Sequence, residues 1–307
     1  MSTSTALARR LVQYIDSRPA GLRTALNQYA GSSLRRFAAG SPTALPLWLI
    51  APRWYARRRA TIGRRFLPDV LFGQYCLFLA IRVHDDLLDD QAGTRWLIPA
   101  GDDLLIEAEH QFARHVDSRD FWSLYRRLVR ETLHGIAEVD RLQRSPAGMR
   151  IAALPLYAKV ASIFNVGVAA TCSVSNQARA YRQFARYAHH LAICGQLQDD
   201  LEDVDEDARR GRMNAAVTML LKGRRLEAGS AAWRRALAAA ALVEGRAPRI
   251  CELAREHADR AVRIARLMGI DPAIRYAEDV SNRCAAAGTD LHRARVRRLL
   301  PFVNRCV

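Results

Sequence analysis

Two acidic clusters interrupt stretches that otherwise read as apolar helix: Asp85-Asp86-Leu87-Leu88-Asp89-Asp90, and far downstream Asp199-Asp200-Leu201-Glu202-Asp203, which runs on through Asp205, Glu206 and Asp207. Asp85 and Asp89, Asp86 and Asp90, Asp199 and Asp203, and Asp203 and Asp207 are each four positions apart. On a helix each pair shares a face, where like charges cost roughly 0.2–0.5 kcal/mol per pair. The flanking runs, Val70 to Val83 and Ala188 to Gln198, are rich in Leu, Ile, Phe and Ala, so these helices are expected to pack against others. The first cluster also falls at the C-terminal end of its predicted helix, where the macrodipole disfavours negative charge. A divalent cation relieves all of these repulsions. Donor sets made of oxygen alone favour Mg²⁺ or Mn²⁺, and Mg²⁺ commonly takes one or two carboxylates plus waters and substrate phosphates. The expectation is therefore a diphosphate held through metal by two acidic helices.

The rest of the chain reads as all-α. Eleven prolines and seventeen glycines are scattered, and the long stretches of Ala, Leu and Arg show no period-two alternation. Predicted helices cover Pro68 to Asp90, a segment starting at Gly101, Asp117 to Leu142, Pro155 to Ser173 and Gln177 to Asp207. Four more begin near Asn214, Ser230, Pro248 and Pro272. Residues 1–52 read as basic helices and an irregular Pro-containing stretch packed on the remainder. With no internal repeat or linker composition, residues 1–307 are expected to form a single domain.

The net charge of +16 is carried by 47 basic residues, of which only Lys159 and Lys222 are lysine. Such a field attracts anions, but its dispersal along the chain argues against a nucleic-acid partner. The six cysteines, Cys76, Cys172, Cys194, Cys251, Cys284 and Cys306, show no C-x-x-C spacing and read as buried thiols of a reducing compartment. Met1 to Arg10 has no long apolar run of the secretory type. A cytoplasmic protein is expected, with peripheral membrane contact at its mouth if its substrate is a long lipid.

The motifs resemble those of the class I isoprenoid synthases, which include trans-prenyl diphosphate synthases, squalene and phytoene synthases, and class I terpene cyclases. His84 to Asp90 is similar to their first aspartate-rich motif. Gly195 to Val204 is similar to the second motif of prenyl diphosphate synthases, with Gln196 three residues before Asp199. The continuation from Asp203 to Arg212 is equally similar to the second motif of squalene and phytoene synthases, so the metal frame is either Asp199–Asp203 or Asp203–Asp207. Lys159-Val160-Ala161 is similar to the Lys-Thr-Ala segment of prenyl synthases, whose lysine meets a diphosphate. By motif the resemblance spans residues 66–222.

The resemblance implies a helical bundle of the isoprenoid synthase type with a central active-site cavity, Mg²⁺ as cofactor (Mn²⁺ as substitute) and a prenyl diphosphate substrate. A homodimer is compatible with it. It implies metal ligands at Asp85, Asp86, Asp89, Asp199, Asp203 and Asp207, with Asp200 joining the catalytic carboxylates. Lys159, Gln196, Arg209, Arg210, Arg212, Phe78 and Phe164 are the implied substrate contacts, and Phe72, Tyr75 and Tyr187 are further candidates for shielding a carbocation. Two features of chain-elongating synthases are missing. No Gly-Gly-Lys-Arg motif stands near the N-terminus, and Gln91-Ala92-Gly93-Thr94-Arg95 stands where an Arg-Arg pair would follow the first motif. The expectation therefore leans to a terpene synthase that cyclises or eliminates with diphosphate release. The alternative is a prenyltransferase, either a head-to-head coupling enzyme or a chain-elongating one.

Other readings of the same residues fare worse. An HD phosphohydrolase needs an earlier histidine, and His84 is the first in the chain. An EF-hand over Asp199 to Asp207 needs a glycine where Val204 stands. A non-enzymatic helical protein that binds polyanions through its arginines would be insensitive to chelation and steeply salt-dependent.

Overall fold

The computed structural model describes residues 3–38, 46–56, 65–88, 96–224 and 230–303. Among these there is no strand. The α-helices are α1 (Thr3–Asp16), α2 (Ala20–Ala38), α3 (Leu47–Ala56), α4 (Phe66–Leu88), α5 (Leu97–Ala113), α6 (Arg119–Gln143), α7 (Pro155–Val160), α8 (Val166–Val174), α9 (Ala178–Glu202), α10 (Val204–Arg210), α11 (Ala215–Leu221), α12 (Ala231–Ala238), α13 (Arg246–Met268) and α14 (Asp271–Val303). The residues group into two compact units, Met1–Val129 with Ile163–Tyr181, and Arg130–Ser162 with Arg182–Val307. No linker was legible because the division runs through the interiors of α6 and α9.

In the first unit α4 is the core helix. Val70, Leu71, Tyr75, Cys76, Leu77, Ala80 and Val83 are all essentially inaccessible. Phe66–Leu87 is long and apolar enough to cross a membrane, yet 78% of its most apolar window is buried inside the protein. Helix α5 returns antiparallel along it. A methyl group on Gly73 would meet Ala108 and Gln111, and one on Gly101 would meet Val83 and His84, so both glycines permit the close approach. Asp69, only 5% exposed, anchors the start of α4. It accepts from Arg10 Nη1 at 2.6 Å and pairs with His115 Nε2 at 2.6 Å, while Arg114 lies 3.6 Å away. Burial works to raise the Asp69 carboxyl, but the His115 and Arg10 hydrogen bonds outweigh it and hold it below the usual range.

Residues 39–45 lie outside the described residues, but from Leu47 on the Pro-containing stretch is helical, not irregular. Pro46 accepts from Leu49 N at the start of α3, and Pro52 sits inside the helix. Proline normally costs a helix about 3 kcal/mol, but Leu49, Ala51, Pro52, Trp54 and Tyr55 are all buried here, and that packing overrides the propensity. The predicted continuous helix from Pro155 to Ser173 is instead α7, a 3₁₀ segment at Ala161–Asn165, and α8.

In the second unit α13 and α14 form a hairpin through Gly269, which takes the left-handed conformation at φ 62°. Tyr187 on α9 donates to Ala273 O at 3.0 Å, so it belongs to this core. The starts predicted near Asn214 and Ser230 are correct, since each side chain caps its helix, accepting from Val217 N at 2.7 Å and Trp233 N at 3.1 Å. Cys76, Cys172, Cys194, Cys251 and Cys284 are free and buried, and Cys306 lies outside the described residues.

His190 Nδ1 on α9 lies 3.1 Å from His257 Nδ1 on α13. Burial, then the neighbouring His189 and His257, pushes His190 down to about 4. An imidazole lowered on folding favours the unfolded chain as it protonates. Its contribution is complete above its ordinary value of 6.5 and is lost as pH falls toward about 4. Relative to His190→Phe, the wild type should lose stability between pH 7 and pH 4, measured as the difference in urea midpoints.

Candidate active site

Each unit carries one of the two acidic segments. In the first, Asp85 and Asp86 occupy the last turns of α4, and Asp89 lies outside the described residues. Their side chains are 43% and 19% exposed. Arg82 bridges both, with Nη2 3.3 Å from Asp86 Oδ1 and Nη1 3.6 Å from Asp85 Oδ2. The Arg82–Asp85 pair is about half exposed, and an ion pair of that kind contributes at most about 1 kcal/mol.

Two helical turns back, Phe78 shares a face with Asp85, about 10 Å along the axis at 1.5 Å per residue. Trp48 of α3 stacks on it at an interplanar angle of 29° with centroids 4.6 Å apart, and Phe164 of the 3₁₀ segment is 5.7 Å from Trp48 and 5.8 Å from Phe78. Tyr75 completes the cluster, 6.2 Å from Trp48. Tyr75 is buried, whereas Trp48, Phe78 and Phe164 keep part of their surface open. Gln74, fully buried, sets the position of Phe164. Its Oε1 accepts from Gly167 N at 2.6 Å and its Nε2 donates to Ile163 O at 3.4 Å, tying the 3₁₀ segment to α4. Trp48 was not foreseen, because its segment reads as a proline-rich loop. Phe72 and Tyr187 do not join the cluster: Arg10 stacks over Phe72 at 4.3 Å, and Tyr187 packs on Phe184 in the second unit.

In the second unit the acidic segment bends at Asp203, where α9 ends and α10 begins. The turn spacing survives the bend, since Asp203 N donates to Asp199 O and Asp207 N to Asp203 O, both at 2.9 Å. Asp199, Asp203 and Asp207 therefore follow one another at successive turns. Asp199 and Asp203 are exposed and Asp207 half-buried. Although the Asp199 residue is exposed in area, desolvation of its carboxyl, followed by the charges of Glu202 and Asp203, raises it above the ordinary range. Asp207 is also raised, by burial first, against the lowering effect of Asn214 and Arg212.

Asp200 differs from its neighbours. It is 3% exposed and accepts from Tyr157 OH at 2.5 Å, Ala215 N at 2.9 Å and Gln196 Nε2 at 3.1 Å. Burial lifts it to about 6, with these three bonds opposing. Its oxygens, and the Gln196 amide, are thus committed to the protein's own framework. Arg209 Nε donates to Asp205 O at 3.1 Å and Arg210 pairs with Glu206 at 2.9 Å, so both exposed guanidiniums are held by their own helix. Arg212 is the arginine whose charge bears on Asp207.

Lys159 is exposed near the end of α7. Gly135 of α6 makes room for that turn, since a Cβ there would lie 2.8 Å from Val160 N and 3.1 Å from Lys159 Cβ. Backbone cannot yield as a side-chain tip can, so Gly135→Ala should cost about 1–3 kcal/mol, read as a lowered urea midpoint.

Among the described residues no three His, Cys, Asp or Glu side chains are grouped tightly enough to hold a metal by themselves. All-oxygen pairs that leave most positions to water and phosphate are nevertheless what Mg²⁺ uses. Asp85 with Asp86, and Asp199 with Asp203, fit that donor chemistry.

No family model and no curated protein matches the sequence. Solved structures resemble the chain in fold. The geranylgeranyl pyrophosphate synthetase of the archaeon Geoglobus acetivorans gives a TM-score of 0.70 at 17% identity, covering 91% of this chain and 98% of that one. The heptaprenyl diphosphate synthase of Staphylococcus aureus gives 0.71 at 12% identity, over 92% and 98%. A polyprenyl synthase of Caulobacter crescentus CB15, complexed with calcium and isoprenyl diphosphate, gives 0.68 at 17% identity, over 91% and 94%. The chain has the class I isoprenoid synthase fold.

Proposed function

We propose that this protein is a Mg²⁺-dependent enzyme that ionises an allylic prenyl diphosphate, and that it is a prenyltransferase. The observation that carries the ionising chemistry is the arrangement on α4, where partly exposed carboxylates stand two turns from a half-open cluster of four aromatic rings. Asp85 and Asp86 in the first unit, and separately Asp199 and Asp203 in the second, would hold metal, which when bound neutralises charge developing on the departing diphosphate. Lys159 and Arg212 add donors to the diphosphate oxygens. Trp48, Phe78 and Phe164 exclude water from the prenyl chain and offer ring faces to the allylic cation.

The preference for transfer over cyclisation revises the expectation from sequence. It is supported by the solved structures of this fold, which are named as geranylgeranyl, heptaprenyl and polyprenyl synthases. Fold alone does not carry an activity, and the missing Gly-Gly-Lys-Arg and Arg-Arg motifs keep the terpene synthase as a second reading. Mass analysis after incubation with farnesyl or geranylgeranyl diphosphate, with and without isopentenyl diphosphate, separates them. Products longer by five-carbon units and dependent on isopentenyl diphosphate support elongation, and a doubled carbon count supports coupling. A hydrocarbon or alcohol from one donor alone would return the protein to the terpene synthases.

A further inference from the structure

Asn214 is completely buried, and every hydrogen-bonding group of its side chain is used. Its Oδ1 accepts from Val217 N at 2.7 Å, and its Nδ2 donates to Asp207 Oδ2 at 2.6 Å and to Asp200 O at 3.1 Å. The orientation of the amide is unambiguous, since turning it over would set an NH₂ group against a backbone N–H and an oxygen against two oxygens. Capping α11 needs only an acceptor, which Ser, Thr or Asp supplies as well as Asn. Asparagine is the one good cap that also brings two donors, and both are spent on the acidic segment. The next residue extends the same link, because Ala215 N donates to Asp200 Oδ2, the oxygen that Tyr157 OH also holds.

We propose that Asn214 is a positioning residue that sets the aim of the second acidic segment, tying Asp207 and the Asp200 backbone to the start of α11 so that Asp199 and Asp203 meet metal in a fixed orientation. It touches neither substrate nor metal itself. The loop it belongs to is pinned independently: Met213 N donates to Gln143 O at 2.7 Å and Met149 N to Met213 O at 3.0 Å. A change at residue 214 therefore acts on the carboxylates more than on the path of the chain.

This inference rests on the proposed function, and the experiment separates the two. Mn²⁺ is titrated by electron paramagnetic resonance in the presence of inorganic pyrophosphate, against wild type, Asn214→Thr, Tyr157→Phe and Ser230→Ala, with thermal midpoints recorded alongside. Asn214→Thr keeps a capping oxygen and loses the two donors, and should weaken Mn²⁺ binding about 10–100-fold, as loss of outer-shell support does elsewhere. Tyr157→Phe should shift it in the same direction. Ser230→Ala removes the cap of α12 and should lower the midpoint with Mn²⁺ affinity unchanged. Should Asn214→Thr not fold, Tyr157→Phe against Ser230→Ala carries the comparison. Equal Mn²⁺ affinities in wild type, Asn214→Thr and Tyr157→Phe would overturn the inference alone. A wild type that binds no Mn²⁺ with pyrophosphate would overturn the functional reading beneath it.

Discussion

Asp85→Ala is expected to lower diphosphate release from an allylic prenyl diphosphate by about 10²–10³ at saturating Mg²⁺, the loss found when one electrostatic stabiliser of a transition state is removed. Stability should move the other way or not at all. The Asp85 side chain is 43% exposed and its partner Arg82 is 50% exposed, so that ion pair contributes little. Its removal also takes a negative charge from the last turns of α4, where the macrodipole disfavours it. A carboxylate kept for solubility would show neither effect. One kept for the fold would lower both activity and midpoint, so parallel measurements of initial rate and thermal unfolding decide the matter.

Arg10→Met is expected to lower stability by about 3 kcal/mol, or roughly 5–10 °C in melting temperature. Asp69 would remain buried with its main cationic partner gone, and Gln111 Oε1 would lose its 2.6 Å bond to Arg10 Nη2. The penalty comes from leaving the buried carboxylate with His115 and the more distant Arg114 alone, more than from the missing attraction. Arg10→Met combined with Asp69→Leu should therefore recover most of it, since apolar replacements of buried pairs are often neutral or stabilising. A double mutant no more stable than Arg10→Met in urea denaturation would contradict this account of the α1–α4 contact.

The parts of the structure that were legible beforehand rest on local chemistry. The caps at Asn214 and Ser230 announced α11 and α12, and the apolar run before Asp85 announced α4. What escaped depends on partners distant in sequence. Pro46 and Pro52 made the stretch up to Pro52 read as irregular, because nothing nearby shows that Ala51, Pro52 and Tyr55 are buried; Trp48, a wall of the aromatic cluster, was lost with it. The 3₁₀ turn that presents Phe164 is held by Gln74, whose bonds to Ile163 and Gly167 span 89 and 93 residues. The spacing of Asp199, Asp203 and Asp207 was visible as a run of carboxylates, but the withdrawal of Asp200 into the interior required Tyr157 and the first N–H of α11. Arg209 and Arg210 looked like anion donors by adjacency alone, whereas acids and carbonyls of their own helix engage both. Asn214 carried a signal in its residue type, since serine or threonine would have capped α11 as well.

The most direct test of the account is pyrophosphate release by the full-length protein from geranyl, farnesyl and geranylgeranyl diphosphates, each with isopentenyl diphosphate present and absent, in Mg²⁺ and again after chelation with EDTA. The account predicts release from at least one donor in Mg²⁺, none after chelation, and recovery when Mg²⁺ is restored. Release that persists undiminished in EDTA, or no release from any of the three donors under any of these conditions, would contradict it.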